Sequence, residues 1–230
     1  MQLTFASYNI HKALGMDRKR DPERIMAVLR EVDADVIALQ EADIRLGERA
    51  SVIPRALIDD SPWKALPVAK RPRSIGWHGN ALFVRKHIEC VRTGALDLPT
   101  LEPRGAVFAE LECDGHKVQV IGTHLDLSGL RRRDQIRAIL REFSECESGC
   151  PQVVMGDFNQ FGRTTGAMRE FGEGWAMCAT GPSFPSRRAV ARLDRILVRG
   201  HSGLGHARSH ASALAAVASD HLPISAEIAL

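Results

Sequence analysis

The sequence predicts an α+β sandwich, two sheets packed face to face with helices outside. Three observations carry this. Strand-like segments outnumber helical ones, adjacent strands read as antiparallel, and the helices are interspersed among them.

The elements follow in order. LTFASYNI (3–10) alternates or runs apolar and reads as a first strand. Asp21-Pro22 is an N-cap followed by proline at the first helical position, and Ile25, Val28, Leu29 and Val32 then form one apolar helical face. DVIALQE (35–41), NALFVR (80–85), GAVFAELEC (105–113) and KVQVIGTHL (117–125) are strands bounded by turn residues. Asp114-Gly115-His116 joins the last two as a hairpin. Ile136, Ile139, Leu140 and Phe143 place a second amphipathic helix over 129–147. QVVMGDF (152–158), LDRILV (193–198) and PISAEIAL (223–230) complete the strands. The stretch HSGLGHARSHASALAAVA before the last strand fits neither period cleanly. No repeat, linker or low-complexity tract divides the chain, so residues 1–230 are expected to form one domain.

Composition narrows the class. With 230 residues, 44% hydrophobic and 26% charged, the chain can bury one sizeable core. No 18-residue apolar run exists, so no membrane span is expected. MQLTFASYNIHKA lacks the basic and apolar regions of a signal peptide. The five cysteines are odd in number and contain no CxxC pair, which argues against a disulfide framework and for a reducing cytoplasm. Cys146 and Cys150 stand at helical i,i+4 spacing, but no other soft ligand clusters with them. The net charge of +3 is mild for a protein that coats DNA. Basic residues are instead local: DRKR at 17–20, KRPR at 70–73 and RRRDQIR at 131–137. The first two read as solvated surface, and the third lies beside the chemistry described next.

Polar residues collect at strand ends. Asn9 ends the first strand, Glu41 the second, His124 the strand in GTHLD, and Asp157 and Asn159 the strand in MGDFN. Asp194 opens LDRILV, and Asp220-His221 precede the last strand. Alone, each has an ordinary structural role: turn former, surface acid, semi-buried histidine or strand-end salt bridge. All of these ordinary roles must hold at once to explain the set. If the sheets stack, the ends converge on one solvent-facing rim. Residues i and i+2 of extended chain point the same way, so Asp157 and Asn159 are expected to face one point.

The ordered series NIH (9–11), LQE (39–41), HGNA (78–81), THLD (123–126), GDFN (156–159), LDRI (193–196) and SDHLPI (219–224) resembles the endonuclease/exonuclease/phosphatase superfamily, the DNase I-like fold. The likeness runs from residue 4 to 228. IHKALG, HGNA and RLDRI fit small stand-alone bacterial metal-dependent phosphohydrolases. The resemblance implies a four-layer α/β/β/α sandwich of two mostly antiparallel sheets, with Mg2+ or Mn2+ as cofactor. By matching positions, it implies that Glu41 is the main metal ligand, helped by Asn9 and Asp220. It makes Asp157 the base or water-orienting acid beside Asn159. His221 then contacts the scissile phosphate, oriented by Asp194, and His124 is a second imidazole on that phosphate. Arg104 and Asn80 match substrate-binding positions. One departure is visible: Trp77-His78-Gly79-Asn80 stands where the DNase I-like nucleases place an acid, so His124 lacks that carboxylate partner.

The chemistry is coherent in its own terms. Phosphate esters are anionic and resist water, so an enzyme must neutralise charge and align the nucleophile. Hard oxygen ligands such as Glu41, Asn9 and Asp220 suit Mg2+ or Mn2+. Asp157 can accept a proton from water, and Asn159 can donate an N–H. His221 beside Asp194 favours the imidazolium. No GxSxG, P-loop or GxGxxG offers a different reaction. Three readings remain. The first is a phosphodiester or phosphomonoester hydrolase. The second is a DNA endo- or exonuclease, less favoured because one tyrosine and 5% aromatics give no stacking array. The third is a catalytically silent binding module, disfavoured because the polar set is complete.

Overall fold

The computed structural model describes residues 1–45, 47–100, 104–143, 150–162 and 165–230. Its strands are β1 (Gln2–Asn9), β2 (Val36–Gln40), β3 (Trp63–Ala65), β4 (Ala81–Arg85), β5 (Glu89–Asp97), β6 (Gly105–Cys113), β7 (His116–His124), β8 (Gln152–Asp157), β9 (Ala176–Met177), β10 (Asp194–Arg199), β11 (Gly203–Ser209) and β12 (Ile224–Ala229). They build two six-stranded sheets, in the orders β11-β12-β1-β2-β4-β3 and β5-β6-β7-β8-β10-β9. The helices are α1 (Pro22–Val32), α2 (Arg55–Asp59), α3 (Gly129–Glu142) and α4 (Ala215–Ala218).

Period two sorts each interior strand between two layers of core. Phe5, Val36, Ala38, Leu82 and Val84 of the first sheet meet Val107, Val120, Val153, Met155, Ile196 and Val198 of the second in one central cluster. The alternate residues Tyr8, Ile37, Leu39 and Phe83 face outward and pack with Ile25, Val28 and Leu29 of α1. On the other side Ile121, Val154 and Leu197 meet Ile136 and Ile139 of α3. The result is the four-layer α/β/β/α sandwich. Strands covered on both faces explain why the sequence shows near-continuous apolar runs.

The helix signals translate into structure. The Asp21 carboxylate accepts the Arg24 N–H at 2.9 Å, capping α1 with Pro22 behind it. α3 covers the described part of the expected 129–147 helix; the Cys146 site lies outside the described residues. Cys90, Cys113, Cys150 and Cys178 carry free thiols.

Two features differ from expectation. First, β1–β2 and β7–β8 are parallel pairs, each joined across a helix, while the other pairings are antiparallel. A crossover helix returns the chain to its starting end, so consecutive strands finish at the same edge. Second, β3, β5, β9 and β11 are absent from the sequence reading, and all four are sheet edges. β5 and β11 are largely exposed or half-exposed, so no alternating apolar pattern marks them.

Candidate active site

Strand register assembles the site. Asn9 pairs with Gln40, so Glu41 emerges beside it. Leu39 pairs with Ala81, and Ser7 with Ile224, which brings Asn80 and the 219–222 turn to the same edge. In the second sheet Gly105 opposes His124, His124 opposes Asp157, and Asp157 opposes Asp194. The two parallel pairs therefore point their C-terminal ends at one rim, where acids, amides and imidazoles meet.

Asp157 is the centre of this group. Its Oδ2 accepts the Asn9 amide at 3.1 Å. The same oxygen lies 3.4 Å from His124 Nε2 and 3.9 Å from His221 Nε2. His221 Nδ1 stands 2.7 Å from Asp194 Oδ2, which also accepts the Ser183 hydroxyl at 2.5 Å. Phe184 packs against the His221 ring with centroids 4.9 Å apart. The expected solvent-facing rim is thus a buried centre: Asp157 is 2% exposed, Asp194 1% and His221 5%. Loop residues tie these strand ends together, as Asn159 does at Leu125 and Ser219 at Asn9, which sequence spacing does not reveal.

Burial and charge separate the two imidazoles. Burial alone lowers His221, but the Asp194 carboxylate outweighs it, with Asp157 and Asp220 adding to the effect, and the group is raised to about 10. It is an imidazolium at neutral pH and donates to Asp194. Burial pushes His124 down to about 4, with Arg104 opposing protonation and Asp157 only partly compensating. His124 is neutral, so its Nε2 accepts from the Arg104 guanidinium. One carboxylate therefore sits between a charged and an uncharged imidazole, the environment-driven split found where acid and base roles diverge.

The oxygen donors form a neighbouring group. Glu41 is half-buried and paired with the Lys12 ammonium. Burial raises its carboxyl, Lys12 and the nearby histidines lower it, and the balance falls below the ordinary glutamate value. Asn9 Oδ1 accepts the His11 N–H at 3.1 Å and retains a second lone pair. The Ser219 hydroxyl donates to the Asn9 carbonyl at 2.7 Å, tying the Asp220 turn to the end of β1. Asp220 Oδ1 lies 3.9 Å from His11 Nδ1. Two carboxylates and a carboxamide on adjacent strand ends are the hard oxygen donors that a divalent cation takes, and Glu41 is already matched by the positive charge of Lys12. Asp157, Asp194 and His221 also bring one ligand atom each within 4.8 Å of the others. In that trio Asp194 Oδ2 is already shared by His221 and Ser183.

Two expected geometries change. Asn159 has φ of 49°, so the chain is not extended past Asp157 and the i,i+2 argument fails. Its backbone N–H bonds Asp157 Oδ1 at 2.9 Å, and its side-chain NH2 donates to the Leu125 carbonyl at 2.9 Å. Asn159 thereby locks the loop after β7 to the loop after β8. Asn80 has zero exposure and donates to the Gly105 and Trp77 carbonyls at 3.0 and 3.2 Å. It stands behind the site wall and joins β4 to β6, out of a substrate's reach in this structure. Arg104 does reach the pocket beside His124 and Glu41.

Backbone strain gathers at this edge. Among ten described non-glycine residues with positive φ, His11, Lys12, Ala13, Glu41, His78 and Asn159 are here. Such conformations cost about 1–3 kcal/mol each and persist where surrounding contacts impose them. Sequence reasoning missed Lys12, Ser183 and Ser219 as members of the site. Lys12 and Ser219 sit inside the quoted IHKALG and SDHLPI stretches, whereas nothing in the sequence marks Ser183.

Comparison with known proteins agrees with this architecture. The chain is 26% identical to the YbhP protein of Escherichia coli K12 over 246 aligned residues, covering 96% of this chain and 94% of that one. A humanized D. rerio TDP2 superposes with a TM-score of 0.78 at 17% identity, covering 100% and 99% of the two chains. A mannosyl-6-phosphatase from Bacteroides thetaiotaomicron does so with a TM-score of 0.75 at 18% identity, covering 99% of each. The family model described as Endonuclease/Exonuclease/phosphatase matches residues 6–221. A match over that span, on two six-stranded sheets whose strand ends converge on one acid and two imidazoles, places this chain in the endonuclease/exonuclease/phosphatase family.

Proposed function

We propose that the protein is a Mg2+- or Mn2+-dependent phosphoesterase that hydrolyses a compact phosphodiester or phosphomonoester by attack of water. One observation carries the reading: a buried carboxylate, Asp157, held between a neutral and a cationic imidazole. Glu41, Asn9 and Asp220 would hold the metal, which when bound supplies Lewis-acid stabilisation of phosphoryl oxygens. Asp157 orients the attacking water and takes its proton, with Asn9 fixing the carboxylate. His221, kept charged by Asp194, offers its Nε2–H to the phosphoryl group as negative charge builds. Arg104 and the neutral His124 present a cation and a fixed ring on the opposite side. Asn159 holds the loop geometry, and residues 1–230 act as one domain.

Glu41→Gln tests the metal assignment. Removing one charge from a hard-oxygen site is expected to raise the Mg2+ concentration for half-maximal activity about tenfold or more. Metal titrations with and without EDTA read this directly. An unchanged titration with only turnover lowered would mean that Glu41 is not a ligand.

A nuclease is the second reading, favoured by the likeness to D. rerio TDP2, one structure of which is a complex with a single-strand DNA product. The mannosyl-6-phosphatase likeness favours a small substrate. The modest +3 charge favours the latter, since gripping a strand needs many phosphate contacts. At equal enzyme and Mg2+, small esters are expected to be cleaved faster than plasmid DNA is nicked. Faster nicking that Asp157→Asn abolishes would reverse the ranking. No described helix is long and apolar enough to cross a membrane; a cytoplasmic location is part of this proposal.

A further inference from the structure

A pocket adjoins the catalytic centre on the side away from Asp194. Glu41, Arg104 and His124 line it together with Arg45, Arg49 and His78, the last three from the loop after Glu41 and from the turn before β4. The loop and the turn are braced. Ala42 N–H donates to the Gly79 carbonyl at 2.9 Å, and Trp77 and Asn80 exchange backbone hydrogen bonds around His78-Gly79. Gly79 has φ of +81°, and a Cβ there would press on the Glu41 backbone at 3.3 Å, so the turn lies directly against the end of β2. On the other loop, Ile44 N–H donates to the Ala50 carbonyl at 2.9 Å, and the Asp43 carboxylate accepts the Ile75 N–H at 3.2 Å and the Ser74 hydroxyl.

Lys12, Arg45, Arg49 and Arg104 face this pocket against two acids, Glu41 and Asp43. Glu41 is paired with Lys12, and Asp43 is buried and engaged by Ser74 and Ile75. Among the described residues Arg49 makes no close ion pair, although its charge acts on the buried Asp43 carboxylate nearby. Its Nη1 donates instead to His78 Nδ1 at 2.6 Å. Burial holds the His78 ring below its usual range, with Arg49, Arg71 and Lys70 adding to the effect, so it serves as a neutral acceptor. The backbone at Arg49 is left-handed, with φ of 51°. A half-buried guanidinium held by an uncharged imidazole, in strained backbone on the pocket lining, keeps further N–H donors that a ligand anion can use.

We infer that the pocket between Glu41 and the Arg49–His78 pair binds a second phosphate of the substrate, making the preferred substrate a compact ester that carries two phosphate groups. This rests on the phosphoesterase reading, which places the scissile phosphate at Asp157 and Glu41. A bidentate guanidinium contact explains why arginine rather than lysine stands here. The inference needs no long duplex and agrees with the chain's modest net charge.

Binding tests this independently of turnover. Thymidine 3′,5′-bisphosphate and thymidine 5′-monophosphate differ by one phosphate. Titration calorimetry with Mg2+ present is expected to show the bisphosphate bound about tenfold more tightly by the parent protein. Arg49→Gln should erase most of that difference, and Arg49→Lys should keep part of it, with melting temperatures confirming that both variants fold. The matching p-nitrophenyl esters of thymidine 5′-phosphate, with and without a 3′-phosphate, give the kinetic counterpart. The preference should lie in KM and should collapse in Arg49→Gln, while KM for the singly phosphorylated ester moves less than about twofold. Equal affinity for the two nucleotides in the parent protein overturns the inference, as does a preference that survives Arg49→Gln. Preserved binding preference without hydrolysis of either ester would sink the phosphoesterase reading and leave the second site standing.

Discussion

His221→Ala and Asp157→Asn are each expected to lower turnover by at least about 100-fold, the usual worth of a proton-transfer group or a preorganised charge at a phosphoryl centre. The burial of both residues makes the stability control decisive. His221→Ala leaves the Asp194 carboxylate, 1% exposed, with Ser183 as its remaining hydrogen-bond partner among these residues. Breaking a buried charge pair in this way costs about 3–5 kcal/mol. The double variant His221→Ala/Asp194→Asn removes the orphaned charge and should regain much of that stability without regaining turnover. Asp157→Asn preserves shape but places an NH2 or a neutral oxygen against the Asn9 amide and the His221 imidazolium, so a smaller loss of stability is expected. Circular dichroism, thermal melts and initial rates on the four proteins separate the effects. Near-parental turnover in either single variant would remove that residue from the mechanism. Turnover that returns with stability in the double variant would make His221 structural.

Gly156→Ala is expected to destabilise the fold strongly. Gly156 opposes Thr123 in the parallel β7–β8 pair. A Cβ at Gly156 would stand 1.9 Å from the Thr123 carbonyl oxygen and 2.8 Å from its carbon, both backbone atoms that cannot rotate aside. Relief requires β7 and β8 to part, and overpacking of this kind typically costs about 1–3 kcal/mol or more. For a chain of this size that is a fall of roughly 3–10 °C in melting temperature. Parting the strands also moves His124 relative to Asp157, so turnover should fall beyond what the melt explains. A melting temperature within about 1 °C of the parent would show that the sheet absorbs the methyl group. This close approach is the physical reason why glycine precedes the acid in MGDFN.

The sequence by itself determined the parts whose causes are local. Every interior strand was legible, because burial on both faces leaves apolar residues at successive positions, as in VIALQ and QVVMGD. The α1 start was legible because Asp21 and Pro22 act within one turn. The order of polar residues at strand ends identified the candidate centre, since a strand end is the one place where a buried apolar run can deliver an acid or imidazole. Tertiary structure decided the rest. The four edge strands β3, β5, β9 and β11 are made by pairing with a neighbour and leave little pattern of their own. The parallel pairings that bring Asn9 beside Glu41 and His124 beside Asp157 depend on which strand ends meet across the sheet. Spacing could not show that Asn80 turns inward to Gly105, that Asn159 turns back to Leu125, or that Asp157 is almost fully buried. Nor could it show Lys12 on Glu41 or Arg49 on His78, 29 residues apart in each case. Those contacts join segments distant along the chain, and only their packing together at the strand ends sets the charge state and the reach of each group.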